Sequence, residues 1–136
     1  MALMVGISLI NYVVALMPTG LEPKPKEKSA EGIKALFYAI EKGNLVYAQK
    51  ILSMNFDPNL FADNGYTPLM YAAARGDAKM VDLLLRNGAD VNMMSGSGDT
   101  AIELALKIGS TEVADTLKKA RAEQLAREEA AKANAS

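Results

Sequence analysis

Few residues in this chain could do chemistry. Asp63 and Asp99, or the neighbouring Glu128 and Glu129, offer paired carboxyls for general acid–base work, which requires one of the two to stay protonated near neutral pH. Gly96-Ser97-Gly98 offers a glycine-rich turn of the sort that cradles phosphate, but it has neither the lysine nor the strand–loop–helix surroundings of a phosphate loop. Cysteine, histidine and tryptophan are absent. That inventory excludes disulfides, thiolate nucleophiles, histidine bases, Cys/His metal sites and histidine-ligated haem. The expectation is a protein with no catalytic residues, no metal, no cofactor and no small-molecule substrate, hence not an enzyme.

The elements that would position any site have to fit in 136 residues, the length of one domain with at most an appendage. Fifteen basic and sixteen acidic side chains give a formal charge of −1, without the basic excess needed to neutralise a run of phosphates, so nucleic acid is not expected as a partner. Half of the residues are apolar, yet aromatics are limited to five tyrosines and three phenylalanines. A core must therefore be built from Leu, Ile, Val, Met and Ala, which suits helix packing better than a sandwich or barrel.

Composition is uneven along the chain. Residues 1–17 hold an uncharged run, ALMVGISLINYVVALM, that stops at Pro18-Thr19-Gly20. As a helix the run reaches ~24 Å, short of the ~30 Å hydrocarbon core, so it can span only with local thinning or support from a partner. Three readings stay open: an uncleaved signal-anchor or transmembrane helix, a cleaved secretory signal, and a helix buried in protein. The first is preferred because no Lys or Arg precedes the run and small residues suited to cleavage are nearly lacking. Asn11, in mid-segment, is a candidate contact to a neighbouring membrane helix. Lys24, Lys26 and Lys28 follow closely, which by the positive-inside rule puts the rest of the chain in the cytoplasm; a cleaved signal would instead put it in the periplasm or another lumen. The linker 18–29 opens PTGLEPKPKEK, alternates proline with charge and should be extended.

Sliding the remainder against itself by 33 places gives dense coincidence. Gly32, Gly65 and Gly98 align, as do Leu36, Leu69 and Ile102; Ala39, Ala72 and Ala105; Gly43, Gly76 and Gly109; and Ile51, Leu84 and Leu117. In the middle copy, Thr67 is placed to cap a helix and Pro68 to occupy its first turn, where a missing N–H costs nothing. Leu69, Ala72 and Ala73 make a narrow apolar stripe, Gly76 breaks the chain, and Met80, Val81, Leu84 and Leu85 supply a second helix face. Gly88 ends that second helix. The period also accounts for Gly96-Ser97-Gly98 as a hairpin turn.

This middle copy, DNGYTPLMYAAARGDAKMVDLLLRNGADVN at 63–92, resembles the ankyrin repeat, matching G-x-T-P-L-x-x-A-A-x-x-G and then V-x-x-L-L-x-x-G-A-D-V-N. The resemblance covers about 30–120, as repeats 30–62, 63–94 and 95–120. It implies an all-α solenoid of helix-turn-helix units joined by hairpin loops. The outer copies depart from the pattern. Repeat one has Lys34-Ala35 for Thr67-Pro68, Asn55 for Gly88 and Pro58 for Val91, so its start and finish look less well specified and it should cap the amino end. Phe37, Met70 and Glu103, with Asn44, Asp77 and Ser110, stand where the family usually has histidine, so the usual threonine–histidine hydrogen bonding is missing.

From Thr111 onward no Gly or Pro interrupts the chain, and Asp115–Lys119, Glu123–Arg127 and Glu128–Lys132 are spaced for ion pairs along one helix. Its distal part, 121–136, is an Ala/Glu/Lys-rich tail with one large apolar residue, Leu125. The tail reads either as solvated or as a contact arm.

The resemblance implies a protein-binding module whose partner is gripped by hairpin tips and the inner helices. Carried over residue by residue, the contact positions are Glu31, Ile33, Glu41 and Lys42; Asp63, Asn64, Tyr66, Ala74 and Arg75; and Ser97, Asp99, Lys107 and Ile108. Tyr66 and Arg75 are the best anchors. Met93-Met94 and Leu60-Phe61 fall beside predicted hairpin tips and suggest an adhesive edge. Such a groove offers no closed pocket to raise a carboxyl pKa. The functional expectation is a membrane-tethered scaffold or accessory subunit that docks another, membrane-associated protein. The alternative is an exported soluble protein that protects or inhibits an enzyme.

Overall fold

The computed structural model describes residues 29–135. The apolar run, its Asn11 and the linker up to residue 28 lie outside the described residues. Six helices follow in order: α1 (Ala30–Lys42), α2 (Leu45–Ser53), α3 (Pro68–Ala74), α4 (Ala78–Arg86), α5 (Ala101–Lys107) and α6 (Thr111–Ala135). Among the described residues there is no strand; Met94 and Thr100 form an isolated antiparallel bridge.

Each repeat contributes one inner and one outer helix. Helices α1, α3 and α5 stack in sequence as an inner layer, α2, α4 and α6 as an outer one, and each inner helix packs on the outer helix that follows it. Alignment at 33 residues becomes alignment in space. Leu36, Leu69 and Ile102 are buried, Ala39, Ala72 and Ala105 are completely so, and Ile51, Leu84 and Leu117 form the matching row between the outer helices. Alanine at 39, 72 and 105 leaves the inner helices free to approach closely.

The turn between inner and outer helix is fixed by Gly43, Gly76 and Gly109, all left-handed with φ between 65° and 75°, where a side chain would be strained. The outer helices then start on a polar cap: Asn44 accepts from the Tyr47 N–H at 3.0 Å and Asp77 from the Met80 N–H at 3.1 Å. Two of the positions lacking the family's histidine are therefore helix caps. Thr67, almost fully buried, accepts from the Met70 N–H at 3.3 Å, while the Met70 sulfur lies 3.5 Å from the Thr67 N–H. A thioether closes the cap here.

Repeat one corrects two sequence readings. Its start is well specified, five residues earlier than the phase of Thr67 indicates, because Ser29 accepts from the Gly32 N–H at 3.0 Å and extends α1 to thirteen residues. Ser29 thus belongs to the repeat domain and not to the linker. Gly32, although in phase with Gly65 and Gly98, forms no turn. It lies inside α1 beneath the buried Phe56 ring, and a β-carbon there would sit 2.5 Å from Phe56 Cε2. The finish of repeat one is also better defined than its sequence suggests, since Asn55 takes the left-handed conformation (φ 61°) in place of glycine.

Loops are tied repeat to repeat. Asn59 donates to the Gly88 carbonyl at 3.1 Å and accepts from the Asp90 N–H at 2.8 Å. At the carboxy end α6 runs on, and its Gln124 does the equivalent work in the other direction, donating to the Ala89 carbonyl at 3.0 Å and accepting from the Val91 N–H at 3.3 Å. The proximal part of the tail is therefore bound to repeat two, and not simply solvated.

Two outcomes follow. Gly32→Ala should destabilise the chain by about 1–2 kcal/mol through overpacking against Phe56, more than the ~1 kcal/mol its helix propensity returns. In a Phe56→Leu background the same change should stabilise, and urea unfolding of the four chains decides it. Gln124→Ala should cost about 1–3 kcal/mol by leaving the Val91 N–H and Ala89 carbonyl without their partner, lowering the melting temperature by several degrees, whereas exposed Glu123→Ala should leave it within about a degree.

Candidate binding site

The inner helices carry a row of aromatic and cationic side chains in the same 33-residue phase. Lys42 Nζ lies 5.7 Å from the centre of the Tyr38 ring, and one repeat on the Arg75 guanidinium lies 5.6 Å from the centre of the Tyr71 ring. In each case the cation sits one helical turn beyond the ring, where i and i+4 share a face. Phe37 bridges the repeats, its ring 5.1 Å from that of Tyr71 at an interplanar angle of 32°. The third repeat has Leu104 and Ile108 at the tyrosine and cation positions, so the row ends after two repeats.

Beside this row lies a groove of about 560 Å³, walled on one side by Ile33, Lys34 and Phe37 of α1 and on the other by residues 60–64 of the first hairpin loop. The loop is held by Ala62 donating to the Tyr66 carbonyl and Gly65 to the Ala62 carbonyl, each at 2.9 Å, while Asn64 Oδ1 accepts from the Tyr66 N–H at 3.0 Å. Phe61, half exposed, is among the residues lining the groove.

The residues expected to meet a partner are not one set. Asp63 and Asn64 line the groove and are exposed. Lys42 is exposed over Tyr38. Arg75 is exposed but committed, because its Nη2 donates to the Glu41 carbonyl at 2.9 Å and so joins repeat two to the end of α1. Tyr66 and Met93 are partly buried against the core, since the loops that bear them fold back onto the stack, which removes Met93 from an adhesive edge; Leu60 packs the same way. Ile33 belongs to the core. Met94 and Ile108 are more than half exposed, with Ile108 Cδ1 leaning toward Gly76. Asp99 and Lys107 are tied to each other at 2.8 Å. Tyr38 and Tyr71 were not singled out from sequence, and Phe37 was named only as standing in for a histidine, although two tyrosines 33 residues apart, each followed by a cation four residues on, carried the signal.

The carboxyl chemistry goes the wrong way for an acid catalyst. The hydrogen bond from Lys107 outweighs the opposing effect of burial and, with a further hydrogen bond from Ser97, holds the Asp99 carboxyl below its ordinary 3.8. Asp99 in turn raises the Lys107 ammonium. Ser95, Ser97 and Asp99 are linked hydroxyl to hydroxyl to carboxylate, with the Asp99 N–H donating to Ser95 Oγ at 3.2 Å. Gly96-Ser97-Gly98 is accordingly a hairpin turn closed on itself. Among the described residues no cluster of His, Cys, Asp or Glu could hold a metal ion.

Stacked helix-turn-helix units with an open side groove define a solenoid of the recognition-module class. The family model described as ankyrin repeats, in three copies, matches residues 2–95 and, in an overlapping placement, 36–128, so the chain belongs to the ankyrin repeat family. The match extends beyond 30–120 at both ends. No curated protein matches the chain significantly. Ankyrin repeats mark a protein–protein interaction module, and the family is generally non-enzymatic.

The Asp99–Lys107 pair has a testable pH signature. With its folded pKa below 3.8, the Asp99 contribution to stability is present above that value and is lost as pH falls through the folded pKa. Carbon-detected NMR should place the Asp99 midpoint below 3.8 and move it upward in Lys107→Ala; a midpoint at or above 3.8 in the unaltered chain would remove the ion pair from the site.

Proposed function

We propose that this chain is a membrane-tethered scaffold or accessory subunit that holds a membrane-associated protein on the groove between α1 and the 60–64 loop, with the repeat domain on the cytoplasmic side. The observation that carries the docking face is the run of accessible aromatic surface beside an open groove: Tyr38 and Phe61 are each at least half exposed, and Phe37 continues the surface to Tyr71. Aromatic rings with a polar or cationic rim are what binding hot spots are made of. The tether rests on the uncharged run within residues 1–17 and the lysines after it. No helix among the described residues is long and apolar enough to cross a membrane, so the tether has to come from that run. A linker of about eleven residues at ~3.1 Å each gives the domain up to ~30 Å of reach from the surface.

The shortness of the apolar run favours a second reading, an exported soluble protein that protects or inhibits an enzyme through the same groove. Fractionation of the tagged full-length chain separates the two: carbonate-resistant membrane retention at full mass is expected, and a shortened soluble species would replace the tether with export. For the groove, Tyr38→Ala combined with Phe61→Ser should lower partner recovery in a crosslinked pull-down at least about tenfold, while the melting temperature stays within about two degrees because both side chains are largely solvated. Undiminished recovery would remove the groove from the reading.

A further inference from the structure

The stack ends on a face that nothing among the described residues covers. Leu106 occupies the position of Ile40 and Ala73, both completely buried by the repeat that follows them, yet it is 48% exposed. One turn before it on α5, Ile102 joins Lys118, Arg121, Ala122 and Leu125 of α6 around a groove of about 340 Å³, and Leu125 is 44% exposed.

The sequence of α6 says what fits there. Asp115, Lys118, Ala122, Leu125, Glu129 and Lys132 are spaced alternately three and four apart, all on the exposed side, which is the seam spacing of paired helices. The seam is self-complementary in one orientation. Laid antiparallel on a copy of itself, with a twofold axis between Ala122 and Leu125, it sets Asp115 against Lys132, Lys118 against Glu129 and Ala122 against Leu125, and symmetry repeats each pairing. A parallel pairing would set like charges against each other at every charged step. These charges are also uncommitted within the chain, because the spaced pairs Asp115–Lys119, Glu123–Arg127 and Glu128–Lys132 do not close, and Asp99–Lys107 is the one ion pair among the described residues.

We propose that a second copy of this chain covers the carboxy-terminal face, the two α6 helices pairing antiparallel so that Leu125 of each copy seats on Ala122 and Ile102 of the other. The interface is independent of the groove at the opposite end of the stack and leaves it open. Two repeat domains would then be joined tail to tail, with two docking grooves facing outward.

The absence of cysteine makes the test direct. Differently tagged full-length copies carrying Ala122→Cys and Leu125→Cys are mixed and mildly oxidised, with a Val46→Cys pair, 82% exposed on α2, as the collision control. A disulfide heterodimer should form at least about tenfold faster than in the control. Lys118→Glu in both copies should slow it about fivefold at low salt, and adding Glu129→Lys should restore it to within about twofold. Circular dichroism should be unchanged throughout, since all these side chains are solvated. The proposal is overturned by crosslinking no faster than the control, by a rate indifferent to Lys118→Glu, by failure of the charge exchange to restore it, or by exclusive coupling of Leu125→Cys to an unlike protein.

Discussion

Everything in this fold depends on one constraint: a two-helix unit has an apolar side it cannot cover alone. Leu36 and Leu69 are buried in the stack, and removing each such leucine from water is worth roughly 1.5–3 kcal/mol, much of which an isolated repeat would not collect. With three units, two are ends. The ends therefore decide whether the stack holds. At the amino end α1 is lengthened by the Ser29 cap and gripped by Phe56 over Gly32. At the carboxy end α6 continues past its expected stop and sends Gln124 back to the loop of repeat two. Both devices break the period, and both occur at the outer limits of the described repeats.

How much was legible follows from that division. The interior of the array could be read from spacing, because residues 33 apart share one environment: the buried alanines at 39, 72 and 105 and the left-handed glycines at 43, 76 and 109 stand where their phase puts them. The ends could not. Gly32 shares the phase of Gly65 and Gly98 but not their job, since its role is set by a phenylalanine twenty-four positions on, and only packing shows that Phe56 stands over it. Asn55 was readable as a departure from glycine but not as a functional replacement, because Asn tolerates the left-handed region only when the context requires it. Gln124 lies in a helix whose composition suggests solvent, and its two backbone partners are more than thirty residues away.

The binding face shows a different limit. Family positions told which residues face outward, not which are free once there. Arg75 has the chemistry of a hot-spot anchor, yet its guanidinium is bound to the Glu41 carbonyl and stacked over Tyr71, so removing it would loosen the joint between repeats one and two as well as the surface. Asp99 and Lys107 satisfy each other across the second hairpin and α5. Beside the groove, accessible aromatic surface is offered instead by Tyr38 and Phe61, each at least half exposed.

Equivalent positions in successive repeats act as internal controls on this division. Where a position is buried in every copy, the residue is nearly the same in every copy, as at 36, 69 and 102. Where exposure varies or is retained along a row, the residue changes: Phe37, Met70 and Glu103 pass from half-buried through buried to exposed, and Lys42, Arg75 and Ile108 are exposed in every copy. Packing holds the buried rows to apolar residues, although their size varies, as at Ile40 and Ala73, whereas charge enters only where a row is exposed. These two rows run from aromatic and cationic at repeat one to acidic and aliphatic at repeat three. That gradient gives the face a direction, because a partner matched to rings and cations at one end meets Glu103 and Ile108 if it is reversed, and an unpaired charge buried under the wrong contact costs more than any apolar contact returns.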